Sequence, residues 1–356
     1  MRRYGINDQL RLRRAVRFAT KAHEGQTRAS GDLYITHPLA VANYLIDLGM
    51  DADTVIAGLL HDVVEDTDTR LAEIEERFGP DVAQLVDGVT KLGQVEYVQD
   101  PSVSVERHTV SVENLRRLLV AMSKDLRVLI VKLADRRHNL QTLKYLKPRD
   151  RARIAAESLE VFAPLADRMG MGALKVEIED LAFEYADPQA YRLTKRLVAG
   201  NLHQSQEIIA NMRTRVKQEL KSAHVKTLSI HGRQKHLYSI YRKLAKTEGD
   251  VTKIYDLMAL RIVVPTITDC YQVLGVIHQH YKPLIYRIKD YIAVPKPNGY
   301  RSLHTTVFGP DGKIIEIQIR TQQMHDEAEH GLAAHALYDS HKHSRRYSKG
   351  EAVTVD

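Results

Sequence analysis

The chain is almost without cysteine: Cys270 is the only one among 356 residues. One thiol cannot close an internal disulfide, and a structural zinc site built on several thiolates is excluded. No run of about 18 apolar residues occurs, so no transmembrane helix is expected. The opening residues, MRRYGINDQL, lack the apolar stretch of a secretory signal. Internal repeats and low-complexity tracts are also missing. These absences lead to the expectation of a soluble, cytoplasmic protein of a reducing compartment, with no membrane partner. Acidic residues fall short of basic ones, 45 against 52, for a formal charge of +7. That excess fits an anionic partner, whether nucleotide, nucleic acid or phosphate. Histidine, in contrast, is plentiful at 17 residues. Any bound metal must therefore rely on imidazole and carboxylate.

At roughly 100–200 residues per domain, the length fits about two domains. The first half reads as successive helices. Leu12, Val16, Ala19 and Ala22 recur at helical spacing over 8–24, and Gly25 stops the run. His37-Pro38 opens a second helix that runs to Gly49, and Asp51 or Asp53 caps a third. Residues 93–104 read as a loop, helices resume near 105 and 125, and a long polar helix is expected over 188–224. The texture then changes. Strands are expected at 226–230, 257–264, 291–294, 303–308 and 313–319, with helices over 234–246, 268–281 and 321–338. The fold class is therefore an all-α half followed by an α+β half with a mixed β-sheet. After about 340 the chain is polar and reads as a loose tail.

Segment 61–68, HDVVEDTD, carries the first chemical constellation. His61 and Glu65 are four apart, as are Asp62 and Asp66, so on one continuous helix each pair shares a face. His37 stands upstream at a helix start. Asp135 lies downstream in KLADRRHNL, with Asn139 and Thr142 on the same side of its helix. Two imidazoles and two carboxylates suit a hard-to-borderline divalent ion such as Mn²⁺. Such an ion activates water and polarises a phosphoryl oxygen. Glu65 and Asp66 stand ready to take the proton of that water. Arg28, Lys132, Arg136 and Arg137 edge the same region with cations, as a polyphosphate would require.

A second constellation lies in the α+β half. Residues 226–246 carry six cations and no acid: Lys226, Arg233, Lys235, Arg242, Lys243 and Lys246. Gly232 precedes Arg233 where a strand is expected to hand over to a helix, a place where free N–H groups favour phosphate. Ser239 and Lys243, four apart, face the same way. Residues 282–304 set Lys282, Arg287, Lys289, Lys296 and Arg301 against the single acid Asp290. Tyr300, in the turn-rich PKPNGYRSLH, is a stacking platform for a base. In KIIEIQIR the isoleucines alternate with Glu316, Gln318 and Arg320, so one face is core and the other is polar. Asp256, just before the strand expected at 257–264, offers a second carboxylate. Together they describe a pocket for nucleotide and Mg²⁺.

The H37…H61-D62…D135 pattern resembles the HD-domain phosphohydrolases. YITHPLAVA, LLHDVVEDT and VKLADRRHNL resemble the hydrolase domain of the long RelA/SpoT homologues. GRQKHLYSIYRKL, YDLMALRIVV, PKPNGYRSLHTTV and IEIQIRT resemble their synthetase domain. The resemblance runs from about residue 5 to about 340. It implies an HD-type hydrolase domain over 1–195, a nucleotidyltransferase-like synthetase domain over 196–340, and a tail over 341–356. The implied activities are those of an alarmone enzyme of the stringent response. One transfers pyrophosphate from ATP to the 3′-hydroxyl of GDP or GTP; the other releases it again from ppGpp or pppGpp. By this likeness Mn²⁺ sits on His37, His61, Asp62 and Asp135, and Glu65 and Asp66 handle the water. Arg28, Asn139 and Thr142 contact the guanosine nucleotide. Asp256 and Glu316 hold Mg²⁺, and Glu316 also activates the 3′-hydroxyl. Arg233 and Arg261 sandwich adenine, while Lys235, Ser239 and Lys243 hold ATP phosphates. Tyr300 stacks on guanine; Lys296, Asn298 and His304 complete the contacts, with Gln318 on the same strand face. Arg287 and Lys289 belong to an RxKD element that accompanies bifunctional members.

Two opposed chemistries in one chain would burn ATP in a cycle, so reciprocal regulation of the two sites is expected. Long members continue into regulatory domains that sense ribosome and uncharged tRNA. Nothing after about 340 would form them, so an N-terminal catalytic fragment is expected. Two other readings stay open from the residues alone. One is an HD-type nucleotidase whose α+β half only binds nucleotide; the other is a nucleic-acid-binding regulator drawn from the basic runs.

Overall fold

The computed structural model describes residues 4–93, 125–247 and 258–331. The expected loop beyond Gly93, the helix near 105, Asp256 and the tail lie outside the described residues. Those described divide into two compact units, one ending at Phe162 and the other beginning at Ala163.

The first unit is helical: α1 Ile6–Ala22, α2 Thr36–Asp47, α3 Ala52–Leu60, α4 Val63–Asp66, α5 Leu71–Phe78, α6 Pro80–Gly93, α7 Leu126–Gln141 and α8 Pro148–Glu157. A π-helical turn, Ser158–Phe162, follows. Asp51 caps α3 by accepting from the Thr54 N–H at 2.9 Å, and Asp125 caps α7 through Arg127 N–H at 2.9 Å. Helix α2 packs against both α3 and α7. Val41, Leu45, Val55, Ile56, Leu60, Leu129 and Leu133 are fully buried there. Burial there stabilises the unit by about 1.5–3 kcal/mol per aliphatic side chain. Gly58 makes the approach of α2 and α3 possible, because a Cβ there would strike Leu45 Cδ1.

The structure differs from expectation at HDVVED. The helix stops at Leu60; His61 and Asp62 form a turn before α4. The four-residue spacing survives in one bond, Asp66 N–H to Asp62 O at 2.9 Å.

The second unit combines helices α9 Ala163–Arg168, α10 Gly172–Ala186, α11 Pro188–Ser222, α12 Leu237–Leu244, α13 Ile267–His280 and α14 Gln322–His330 with a five-stranded sheet. The strands are β1 Ser229–Gln234, β2 Met258–Val264, β3 Lys289–Asp290, β4 Leu303–Phe308 and β5 Ile314–Thr321. Their order is β1-β2-β5-β4-β3, with β2 and β5 parallel and the other pairs antiparallel. Leu260, Ile262, Ile315, Ile317 and Ile319 form one face, covered by Met212, Val216 and Leu220 of α11 and by Val273 and Ile277 of α13. Thr266 and Asp269 close a capping box at the start of α13. No described helix is long and apolar enough to cross a membrane.

Two local expectations are corrected. The first strand begins at Ser229, where pairing to Val263 starts, so Gly232 and Arg233 lie inside β1 and not at a strand-to-helix turn. Gly232 instead faces α11, where a Cβ would strike Ile209 Cγ2. Residues 291–294 form a turn. The Asp290 carboxylate accepts from Ile292 and Ala293 N–H at 2.9 and 2.8 Å and bends the chain away from the sheet.

Candidate functional site

In the helical unit, α2, the turn after α3, and α7 deliver four side chains to one point. His37 and His61 are 2% and 1% exposed, and Asp135 is 4% exposed. His37 Nε2 lies 3.2 Å from His61 Nε2, 3.4 Å from Asp62 Oδ2 and 3.2 Å from Asp135 Oδ1. His61 Nε2 lies 3.1 Å from Asp62 Oδ1 and 3.8 Å from Asp135 Oδ1. Among the described residues, His37, His61 and Asp62 offer donor atoms all within 4.8 Å of one another.

Hydrogen bonds behind the rings settle which nitrogen faces inward. His61 Nδ1 donates to Gly58 O at 2.9 Å, leaving the Nε2 lone pair for the centre. His37 Nδ1 lies 2.7 Å from His138 Nδ1. With His37 Nε2 inward, its Nδ1 carries the proton and His138 accepts it. Burial, with His37 and Arg28 nearby, pushes the His138 imidazole down to about 4, so it is neutral as an acceptor must be.

The charges of the centre are strongly interdependent. Burial would push His61 down, yet Asp62 and Asp135 outweigh it and raise the imidazole to about 9. Burial would raise the Asp62 carboxyl; His61 and His37 hold it well below the usual range. Asp135 is likewise held low against burial, chiefly by Lys132, whose ammonium is 2.8 Å from Oδ2. Without an ion, the carboxylates draw a proton onto an imidazole. A divalent cation meets the same demand, and the nitrogen and oxygen donors fit it.

The centre lies at the wall of a cavity of about 510 Å³, also lined by Arg28, Tyr34, Glu65, Asp66, Lys132, Arg136, Asn139, Thr142 and Arg153. That volume is in the range of small-ligand sites, roughly 300–1,000 Å³. Arg28 Nη2 donates to Asn139 Oδ1 at 2.9 Å and lies 3.4 Å from Thr142 Oγ1, so the three predicted nucleotide residues stand together. Glu65 and Asp66 are exposed at the rim. Burial, with Asp62 and Asp66 nearby, raises the Glu65 carboxyl, although Lys132 opposes it. Sequence reasoning missed Tyr34, whose hydroxyl lies 2.9 Å from Asp62 Oδ2 and 2.6 Å from Asp66 Oδ2. It also missed His138 and Glu157, the latter 3.0 Å from Arg136. A signal existed for two of them: Tyr34 precedes His37 by three residues, and His138 follows Asp135 by three on one helix.

In the second unit the polar sheet face gathers the other predicted residues. Register sets Arg261 opposite Gln318, Glu316 opposite Ala259 and Thr306, and His304 opposite Gln318 and Lys289. Arg233 on β1 pairs with Ala259. Glu316 is held at both oxygens, by His304 Nδ1 at 3.1 Å and Gln318 Nε2 at 3.1 Å. Tyr300 OH lies 2.8 Å from His304 Nε2, and the Lys296 ammonium is 4.9 Å from the Tyr300 ring centre. Asn298 binds Asp167 O at 3.1 Å and accepts from the Tyr300 N–H. Ser239, on α12 with Lys243, lies 2.7 Å from His236 Nε2. Lys235 lies between β1 and α12. Arg287 and Lys289 are exposed near the β3 edge, while Asp290 of the same element is spent on its turn.

The helical unit is an HD domain, and such a domain with this donor set implies a divalent metal. A family profile described as HD domain matches residues 15–172, and one described as a region found in RelA / SpoT proteins matches 232–343. The chain belongs to the RelA/SpoT family. It is 48% identical over 327 residues to a GTP pyrophosphokinase of Streptomyces coelicolor, covering 92% of this chain and 37% of that one. It is 44% identical over 339 residues to the bifunctional (p)ppGpp synthase/hydrolase SpoT of Escherichia coli, covering 95% of this chain and 47% of that one. The chain thus spans less than half the length of these relatives. A solved metazoan ortholog of SpoT, described as hydrolysing ppGpp, matches at 31% identity and a TM-score of 0.29, over 38% of this chain and 70% of its own.

Proposed function

We propose that the chain is a bifunctional alarmone enzyme, a GTP/GDP pyrophosphokinase and a guanosine-3′,5′-bis(diphosphate) 3′-pyrophosphohydrolase. The hydrolase occupies 1–195 and the synthetase 196–340. The observation that carries the reading is the meeting of His37, His61, Asp62 and Asp135 at a cavity that also holds Arg28, Asn139 and Thr142.

In the hydrolase site His37, His61, Asp62 and Asp135 would hold Mn²⁺, which when bound would supply a Lewis acid for the phosphoryl group and its attacking water. Arg28, Asn139 and Thr142 release one another to bind the guanosine nucleotide, and Lys132, Arg136 and Arg153 face its phosphates. Glu65 and Asp66 take the proton of the water. The raised Glu65 carboxyl suits a proton that must be accepted and passed on. Tyr34 holds Asp66 beside Asp62. The water oxygen bonds to the proximal phosphorus of the 3′-diphosphate, the bond from that phosphorus to the ribose 3′-oxygen breaks, the 3′-oxygen takes up the proton and pyrophosphate leaves.

In the synthetase site Asp256 and Glu316 would hold Mg²⁺, which when bound would neutralise charge on the ATP phosphates. Arg233 and Arg261 take the adenine; Lys235, Ser239 and Lys243 take the phosphates. Tyr300 stacks on guanine, and Lys296, Asn298, His304 and Gln318 orient the acceptor, with Arg287 and Lys289 nearby. Glu316 receives the proton of the 3′-hydroxyl as its oxygen bonds to the β-phosphorus of ATP; the bond from that phosphorus to the α–β bridging oxygen breaks and AMP leaves. Each site undoes the other's product, so nucleotide in one disfavours the active state of the other. The test is a paired assay: ATP with GDP under Mg²⁺ yields ppGpp, and ppGpp under Mn²⁺ yields GDP and pyrophosphate. Failure of the first with success of the second would reduce the chain to a nucleotidase.

A further inference from the structure

On the polar face of the sheet, two arginines share a carboxylate that no sequence pattern singled out. Glu329 Oε1 accepts from Arg261 Nη1 at 2.8 Å and from Arg320 Nη2 at 3.1 Å. Arg261 lies on β2 and Arg320 on the adjacent β5, displaced by two residues in register. Arg320 is 1% exposed, so its charge depends on a partner. Among the described residues, the Nε atoms of both arginines are buried without a partner. One carboxylate thus orients two guanidiniums, and Arg261 is gripped by a single edge.

Glu329 stands at an unfavourable place for an anion. It is the penultimate residue of α14, where the negative end of the helix repels a carboxylate. Burial also works against its charge, yet Arg261 and Arg320 hold its carboxyl below the usual range. The arginines therefore account for an acid at this position.

The backbone fixes where that acid is delivered. Gly331, which ends α14, has φ +57°, and a Cβ there would run into Met169 O and the Gly170–Met171 backbone. A Cβ on Gly172 would lie 2.6 Å from Ala328 O. These glycines let the 169–172 backbone close on the last turn of α14. Glu329 is thereby seated at a fixed distance from the sheet.

We propose that Glu329 is a positioning residue of the ATP subsite, holding the Arg261 guanidinium in the orientation that receives the base. This rests on the synthetase reading above. Arg320 is the second load on the same carboxylate, and it provides the discriminating variant.

The test is ATP affinity by calorimetry under Mg²⁺ without acceptor, beside thermal melting, for wild type, Glu329→Gln, Glu329→Asp and Glu329→Gln/Arg320→Met. Glu329→Gln should weaken ATP binding roughly tenfold to a hundredfold, the scale of one charge-assisted hydrogen bond. Glu329→Asp should recover part of that loss. The double variant removes the stranded Arg320 charge, so it should regain melting temperature while ATP binding stays weak. Should Glu329→Gln fail to fold, the double variant carries the test. Wild-type ATP affinity in the double variant, or in a folded Glu329→Gln, overturns the inference, because Glu329 would then only neutralise Arg320. A wild type that binds ATP but makes no ppGpp would defeat the synthetase reading and leave these affinities to judge Glu329. A wild type that does not bind ATP would overturn both.

Discussion

His138 is a residue whose work is done through another. Its Nδ1 accepts from His37, which leaves the His37 Nε2 lone pair facing the centre. Such partners are typically worth about 10–100-fold in metal affinity. His138→Phe should therefore weaken Mn²⁺ binding, measured by calorimetry, by about that factor, whereas His138→Asn, which keeps an acceptor, should retain most of it. His61 sets the pH dependence. Its folded-state value of about 9 lies above the ordinary 6.5, so the folded metal-free protein binds the extra proton. That stabilisation, on the order of a few kcal/mol, is complete below about pH 6.5 and lost as pH rises through about 9. Melting of the chelated protein should fall across this window, and Mn²⁺ affinity should rise across it as the competing proton leaves. A metal affinity flat from pH 6.5 to 9 would contradict the assignment of His61.

Elements bring these residues together by close approach. Gly58 lets α3 lie against Leu45 of α2, and His61 then comes within reach of His37. Gly58→Ala should cost about 1–3 kcal/mol of stability by overpacking and should weaken Mn²⁺ binding as the helices part. Denaturant unfolding and calorimetry on one preparation check both. His37, His61, Asp62 and Asp135 could be grouped from the sequence because of the H…HD…D pattern and because an Asp inside the apolar run VKLADRRHNL has few bland explanations. The strand Met258–Val264 was legible as a buried apolar run ended by Pro265, and those at 303–308 and 313–319 from alternation and β-branched residues. The rest depended on partners distant in sequence. Nothing local in HDVVED marks the stop after Leu60. The start of β1 is set by its ladder with β2, which moves Gly232 from a phosphate turn to a packing position against Ile209. YIAV at 291–294 has strand composition, but one carboxylate, Asp290, bends it. Glu329 sits in a polar helix where only the fold reveals two arginines on its oxygen.

At the scale of the molecule, the chain carries two sites of different build. One is a helical centre of nitrogen and oxygen donors; the other is a sheet face where the carboxylates Glu316 and Glu329 stand among cations. Their proposed reactions are opposed, and linkage requires reciprocity: ppGpp in the hydrolase pocket should weaken ATP binding by the factor by which ATP weakens ppGpp. Equal ATP affinity with and without ppGpp would contradict that coupling. The central claim is that the two activities reside in separate sites. Its most direct measurement is the paired assay on Asp62→Ala and Glu316→Ala. Asp62→Ala should lose Mn²⁺-dependent ppGpp hydrolysis and keep synthesis from ATP and GDP; Glu316→Ala should do the reverse. Loss of both activities from either folded variant would contradict the account.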